Sequence, residues 1–438
     1  MTNGAPRIAM VAGEASGDLL AAHLMAAIKQ RLPGVHFMGI GGPRMQAEGF
    51  EVWWPGEKLA VRGYVEVLRH YPEITGIRRK LAQRLLAQKP DLFIGVDAPD
   101  FNLDLEIGLR KAGIASCHYV SPSIWAWRGN RMDKIRRAAG HMLCLFPFEQ
   151  NLYAKAQVPA SYVGHPLADM IGLDAGSDAA RSAARATLGL PQDAPVVALL
   201  PGSRESELRY LSVRFVDTAL LMAAARPQLH FVVPLASVET EAQWHAAQTA
   251  AGLDAAQAAR FTLVQRASHT ALAACDVALV ASGTATLETA LLRRPMVIAY
   301  NMAPLSWAMM RRMKYQPWVG LPNILCGEFV VPEFLQDEAG PQNLAQALSN
   351  LLDDPGLRTR IAGRFDALHR SLRQDSAARA ADVVERLLRT ARSVPPAAQA
   401  PPTDPPAPSR TPPPDHPAPS RPPEPPKPPL PPARQGQA

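Results

Sequence analysis

The sequence predicts an α/β protein made of two doubly wound, parallel-sheet domains that face each other across a cleft. Three observations carry this. Short, continuously apolar runs alternate with longer helical stretches, the pattern of βαβ units whose strands are covered on both faces. The alternation occurs twice, separated by a stretch over residues 172–195 that is rich in Ala, Gly, Asp and Ser. Proline is concentrated at one end: 20 of the 43 fall between Pro395 and Ala438, which leaves a body of ordinary globular composition.

The first run opens with a strand at Arg7–Ala12 and a helix at Ser16–Leu32 that stops before Pro33. A second strand is expected at Val35–Ile40, a helix at Ile74–Gln88, and a strand at Asp91–Val96 after Pro90. A helix at Leu105–Ala112 leads to a strand at Ala115–Val120, and His141–Leu145 is a further short strand. After the pause, which contains a short helix at Ala179–Leu188, strands are expected at Val196–Leu200, Leu229–Pro234, Phe261–Val264, Val277–Val280 and Met296–Tyr300. Long helices such as Val213–Ala225 and Glu239–Ala250 separate them, and helices Gln342–Leu352 and Gly356–Leu388 close the body. The boundaries that follow are 1–172 for a first domain, 190–355 for a second, 356–394 for closing helices and 395–438 for the tail. The tail has no aromatic residue and nothing to bury, so it is expected to be disordered with polyproline II character. A solvated appendage is preferred over a ligand for a proline-recognition domain.

Composition excludes several classes. No apolar run approaches the ~18 residues of a transmembrane helix, and Met1–Ala12 lacks the form of a secretory signal. The four cysteines, Cys117, Cys144, Cys275 and Cys326, form no zinc or disulfide pattern, which points to a reducing cytoplasm. The net charge is +7, of which the tail supplies only +1. A basic body suits nucleic acid, anionic metabolites or an anionic membrane surface, and charge alone does not choose among them.

In open α/β sheets, ligands bind beyond the carboxyl ends of the strands, so the segment after each strand is where function is sought. The first strand is followed by Gly13-Glu14-Ala15-Ser16-Gly17-Asp18, a glycine turn into a helix start that suits an anion, or an ordinary strand–helix turn. Strand Asp91–Val96 leads into Asp97-Ala98-Pro99-Asp100-Phe101-Asn102. A carboxylate at the end of a buried strand is costly unless it works or is paired. Asp97 is read as a general base and Asp100 as the cap of the following helix. Strand Ala115–Val120 is followed by Ser121-Pro122-Ser123-Ile124-Trp125-Ala126-Trp127-Arg128. Trp125, Trp127 and Arg128 would form an aromatic and cationic wall suited to a sugar face and a phosphate, the alternative being core packing.

In the second run, Val196–Leu200 leads into Pro201-Gly202-Ser203-Arg204, where Gly202 allows close backbone approach and Arg204 offers a fork to a diphosphate. Val277–Val280 leads into Ala281-Ser282-Gly283-Thr284-Ala285-Thr286-Leu287-Glu288. Ser282, Gly283 and Thr284 form another anion-binding helix start, and Glu288 lies one turn further in, within reach of ribose hydroxyls or simply balancing the helix dipole. No P-loop, HExxH, GxSxG or complete GxGxxG occurs, and no Asp-x-Asp metal motif is present.

The strings VAGEASGD, GPRMQAEG, DAPDFN, HYVSPSIWAWR, VGHPL, LLPGSR and ASGTATLE, in this order over about residues 7–390, resemble the lipid A disaccharide synthase family of Gram-negative bacteria. The resemblance implies a GT-B fold of two Rossmann-like domains and an inverting glycosyl transfer. UDP-2,3-diacylglucosamine and 2,3-diacylglucosamine 1-phosphate would give a β(1→6) disaccharide and UDP, with no metal or other cofactor. It implies Asp97 as the base, Arg204 and Glu288 as donor-nucleotide residues alongside Gly202, Ser203, Ser282, Gly283 and Thr284, and Asn323 as a polar position important to activity. Gly13, Glu14, Ser16, Trp125, Trp127 and Arg128 would lie on the acceptor side. It further implies peripheral attachment to the cytoplasmic face of the inner membrane, and dimers with exchanged C-terminal segments. A transferase to another acceptor, a sugar-nucleotide epimerase, and a non-enzymatic RNA- or membrane-binding module are the competing readings. Nucleic-acid binding is not expected.

A substrate with two acyl chains cannot cross water cheaply, so a docking surface is expected. Segment 62–89 carries seven Lys/Arg against two acids. Val65, Val67, Leu68, Ile74 and Ile77 with Arg78 and Arg79 would form an apolar patch with a basic rim.

Overall fold

The computed structural model describes residues 4–59, 64–125, 131–303, 307 and 317–393, without the side chains of 64–70. All of these fall within one compact unit, Met1–Ala400. The tail and its expected disorder lie outside the described residues.

Two all-parallel sheets are present. The first contains β1 (Arg7–Ala12), β2 (His36–Gly41), β3 (Glu51–Pro55), β4 (Leu92–Val96), β5 (Ser116–Tyr119), β6 (His141–Cys144) and β7 (Ala160–Tyr162), in the order β3-β2-β1-β4-β5-β6-β7. The second contains β8 (Val196–Leu200), β9 (His230–Leu235), β10 (Phe261–Gln265), β11 (Val277–Ala281), β12 (Met296–Tyr300) and β13 (Glu333–Leu335), in the order β10-β9-β8-β11-β12-β13. Each sheet grows outward in one direction and then restarts in the other. The winding therefore reverses between β1 and β4 and between β8 and β11, and at such switch points the loops diverge and leave a crevice.

The apolar strands of the sequence are those whose two faces are both buried. In β1, Ile8, Met10 and Ala12 enter one core while Ala9 and Val11 enter the core on the opposite face. A third core lies around the second sheet. The strands not foreseen, β3, β7 and β13, are edge strands of three to five residues, only partly buried, with at most the short apolar run Val52–Trp54 in β3.

One expected helix is two. The stretch read as a single helix over Gly356–Leu388 breaks into Pro355–Leu372 and Ser376–Ser393. The first packs Ile361, Phe365 and Leu372 into the core of the second sheet, and the second packs Ala380, Val384 and Leu388 into the core of the first. The break is held from far away: the Asp169 carboxylate accepts the backbone N–H groups of Gln374, Asp375 and Ser376 at 3.0, 3.0 and 2.7 Å. Those are orphan donors of a helix start, and neither glycine nor proline marks the spot locally.

Candidate active site

The loops singled out in the sequence fall at the two switch points. The register Ala12↔Val96 sets the ends of β1 and β4 side by side, so the Gly13–Asp18 turn and Asp97 leave neighbouring strands. The register Leu200↔Val280 does the same for β8 and β11, pairing Gly202–Arg204 with Ser282–Thr284.

The first edge is strained. Asp97, Ala98 and Val120 have φ of +52°, +43° and +80°. A left-handed conformation costs a non-glycine residue on the order of 1–3 kcal/mol, and persists only where the surroundings impose it. Here they do: the Asp97 N–H donates to the Tyr119 carbonyl at 2.8 Å, the Val120 N–H to Leu143 at 3.1 Å, and Asn102 Nδ2 to the Asp97 carbonyl at 2.8 Å. Asp97 is half-buried. Desolvation first, then the Glu14 carboxylate, lifts its pKa above the ordinary carboxylate range, against the pull of His118 and the Ala98 N–H. Glu14 is half-buried, Ser16 is exposed, and Gly13 has no room for a side chain because a Cβ would lie 2.9 Å from Leu59. Asp18 in the same turn, unassigned from the sequence, ties the loop after β2 to the first helix by accepting the N–H groups of Gly42, Arg44 and Met45.

Asp100 is not the helix cap. Helix Pro99–Lys111 starts earlier than expected, with Ala98 at its N-cap and no side-chain cap. The Asp100 carboxylate is exposed and pairs with Arg131 at 2.6 Å.

Trp125 packs edge-on against Phe146 and Phe148, at 6.3 and 5.3 Å between ring centroids, and donates its indole N–H to Glu149 at 3.1 Å. Burial raises the Glu149 pKa to about 7, against hydrogen bonds from Phe146, Ser121 and Trp125. His165 stacks on Phe146 at 5.5 Å, and burial lowers its pKa to about 4. Trp127 and Arg128 lie outside the described residues.

The second edge is open. Gly202 has φ of +126°, and a Cβ there would lie 2.5 Å from Glu207. The Glu207 carboxylate accepts the N–H groups of Ser203 and Arg204 at 2.9 and 3.3 Å, which leaves the exposed Arg204 side chain 3.5 Å from it. Gly283 precedes helix Thr284–Leu291, and the space where its Cβ would sit is empty to 4 Å. Ser282 donates to the Val319 carbonyl at 3.4 Å. Glu288 is 3.3 Å from His269, whose pKa is raised chiefly by that hydrogen bond.

Asn323 sits in helix Leu321–Cys326. It is fully buried, and its amide uses every valence inside the chain. Nδ2 donates to Val331 O and Glu333 Oε1, and Oδ1 accepts from the Val330 and Val331 N–H groups, all at 2.8–3.0 Å. Glu333 in turn accepts the N–H groups of Val319 and Gly320 at 2.8 and 3.0 Å. Through these bonds and those of Glu333, Asn323 holds the loop that Ser282 touches.

The apolar patch is corrected in part. Ile77 is buried with Leu81 and Leu85 and Ile74 packs against that core, because helix Tyr64–Gln88 must cover the face of the first sheet. Arg78 pairs with Asp104 at 2.9 Å, a carboxylate it shares with Lys134, whereas Arg79 is exposed. The side chains of Val65, Val67 and Leu68 lie outside the described residues. Among the described residues, no helix is long and apolar enough to cross a membrane.

Two parallel sheets with loop pairs at both switch points define the GT-B class. Among solved structures, a UDP-GlcNAc 2-epimerase from Neisseria meningitidis bound to UDP-GlcNAc superposes with a TM-score of 0.59 at 12% identity, covering 88% of this chain and all of the other. Anabaena Alr3699/HepE in complex with UDP and glucose superposes with a TM-score of 0.54 at 17% identity, covering 87% of this chain and 99% of the other. At such identity these similarities show the fold. The family described as Lipid-A-disaccharide synthetase matches residues 8–384. The lipid-A-disaccharide synthase of Aromatoleum aromaticum is 57% identical over 380 residues, 87% of this chain and 95% of that protein. The enzyme of the same name from Pseudomonas aeruginosa is 50% identical over 382 residues, 87% of this chain and 98% of that protein. The chain belongs to the lipid-A-disaccharide synthetase family and is an enzyme, a glycosyltransferase.

Proposed function

We propose that the protein condenses UDP-2,3-diacylglucosamine with 2,3-diacylglucosamine 1-phosphate, giving the β(1→6)-linked lipid A disaccharide 1-phosphate and UDP. The observation that carries the assignment of roles is the placement of two unlike loop pairs at the two switch points. The acceptor 6-hydroxyl approaches the first edge, where Asp97 takes its proton as the hydroxyl oxygen attacks the anomeric carbon from the face opposite UDP. One in-line displacement inverts that carbon. Negative charge develops on the departing diphosphate, and Arg204 with the first N–H groups of helix Thr284–Leu291 stabilises it without a metal. Glu288 exchanges its contact with His269 for the ribose hydroxyls. Trp125, Trp127 and Arg128, with Gly13, Glu14 and Ser16, line the acceptor side. In this reading residues 1–172 form the acceptor and membrane-docking domain and 190–355 the donor domain, with 356–394 closing the body.

The acyl chains require docking at the cytoplasmic leaflet of the inner membrane, and the N-terminal half of helix Tyr64–Gln88 is the surface proposed for it. Val65, Val67 and Leu68 precede an exposed Tyr71 there, with the exposed Arg79 one helical face along. A homodimer is the assembly that the family resemblance implies, and no nucleic-acid partner is proposed. The test is mass spectrometry of products from defined UDP-diacylglucosamine and acceptor. A disaccharide 1-phosphate and stoichiometric UDP are expected without added metal. An epimerised UDP-sugar without transfer, or an absolute need for Mg²⁺, overturns the reading.

A further inference from the structure

We propose that the buried pair His118–Glu106 is a positioning pair for Asp97: a protonated imidazole beneath the floor of the site whose charge keeps the Asp97 carboxylate ionised and ready to accept a proton. The proposal rests on the reading of Asp97 as the base.

The pair is built by three elements. His118 lies on β5 opposite Gly95 of β4, on the sheet face that helix Pro99–Lys111 covers. Glu106 projects from that helix toward the sheet, and Nδ1 of His118 meets its Oε1 at 2.7 Å, both side chains having no exposed surface. Gly95 makes the approach feasible, since a Cβ there would lie 2.2 Å from Glu106 Oε1 and 2.9 Å from Asn102. Asn102, on the same helix, holds the Asp97 carbonyl. The backbone that supports Asp97 and the charges beneath it are therefore one assembly.

A stabilising role alone explains this poorly. A buried ion pair is no better for stability than a well-packed apolar pair, and its ends should at least be satisfied. Here Glu106 Oε2, His118 Nε2 and Asn102 Oδ1 all lack hydrogen-bond partners in the structure. Unpaired buried polar atoms need a reason, and three in one cluster point to a function in the adjoining site. The charges facing the ring are Glu106 and Asp97, and Glu14 faces Asp97 from the turn before the first helix. Arg110, one turn beyond Glu106, caps the carbonyls of Arg136, Arg137 and Ala139, and the buried Cys117 thiol is held neutral. Burial favours the neutral imidazole, but the charge and hydrogen bond of Glu106, with the charge of Asp97, override it, so the His118 pKa stands above its ordinary value. The interaction is mutual: the His118 charge opposes the burial that would otherwise protonate Asp97.

Two measurements test this. In pH profiles of kcat/KM, His118→Asn and Glu106→Gln should move the acid limb to higher pH. Activity on that limb should fall about threefold or more, with less change on the plateau. An unmoved limb in folded variants overturns the pair's role. Because either variant can fail to fold, ¹⁵N NMR of the histidine rings is read in the native chain and in Asp97→Asn. The His118 ring should carry both protons at neutral pH, and its titration should move to lower pH once the Asp97 charge is gone. A neutral ring, or a titration indifferent to Asp97→Asn, overturns the proposal while the base reading stands. Near-normal turnover by Asp97→Asn overturns the base reading instead.

Discussion

The two switch points are built in opposite ways. At the ends of β4 and β5 three non-glycine residues stand in left-handed conformations, over a buried carboxylate–imidazole pair. At the ends of β8 and β11 the backbone turns on glycine, Arg204 and Thr284 are exposed, and no buried ion pair lies beneath among the described residues. Strain and desolvated charge accompany a group that must have a particular protonation state, whereas exposed donors and helix starts suffice to hold a diphosphate. This difference fits the proposed division, with proton transfer at the first edge and anion binding at the second.

The comparison breaks most visibly at Asp97. Asp97→Asn should lose about 10²–10⁴-fold in kcat, the usual contribution of a general base, with unchanged circular dichroism and melting. Near-normal steady-state turnover in the folded variant would remove the distinction between the edges.

The next effect is on binding. Glu288→Ala should raise KM for the UDP-sugar by more than it lowers kcat, whereas Arg204→Ala should weaken UDP binding and also lower kcat, since Arg204 meets the charge that develops on the departing diphosphate. Arg204→Lys should recover little, since a point charge does not replace a bidentate fork. EDTA should leave both kinetic constants unchanged.

Asn323 sharpens the comparison, because it serves the second edge without touching it. Asn323→Ala leaves the Glu333 carboxylate and three backbone groups short of a partner, and should destabilise by roughly 3 kcal/mol in urea denaturation. Loss of activity at a temperature where that variant is fully folded and binds UDP normally would restore a direct role.

The smallest effect is at His165, between the two sheets. Its folded pKa of about 4 lies below the ordinary 6.5, so the unfolded chain binds the extra proton first. Its contribution to stability is therefore full above pH 6.5 and lost as pH falls from there toward 4, at most about 3 kcal/mol. His165→Asn, whose amide oxygen can still accept the Leu167 N–H, should flatten that decline. An identical pH dependence in variant and native chain would show that the ring is not held neutral.

How legible all this was in the sequence depends on what signal each feature leaves. The buried strands of both sheets are continuous apolar runs, and the loops after them carry Gly13, Asp97, Arg204 and Gly283 at the ends where ligands bind, so fold and loops were readable together. Edge strands β7 and β13 leave no such run, and β3 only the three residues Val52–Trp54. The break between Leu372 and Ser376 was invisible because its cap, Asp169, is about two hundred residues away. The same distance problem hid Glu106 and His118. Each reads singly as an ordinary helix or strand residue, and only the register Gly95↔His118 brings them under Asp97. The burial and full bonding of Asn323 leave no mark in the sequence, because a buried, fully bonded asparagine and a reactive one look alike there. Ile74 and Ile77 were misplaced because an amphipathic helix presents the same residues to a core as to a lipid.

The division of labour between the two edges is tested most directly by calorimetric titration of UDP into Asp97→Asn and Arg204→Ala beside the native chain. Asp97→Asn, though strongly impaired in turnover, should bind UDP with native affinity, while Arg204→Ala should bind it at least about tenfold more weakly, the loss of one charge-assisted contact. Weakened binding by Asp97→Asn together with native binding by Arg204→Ala would contradict the assignment.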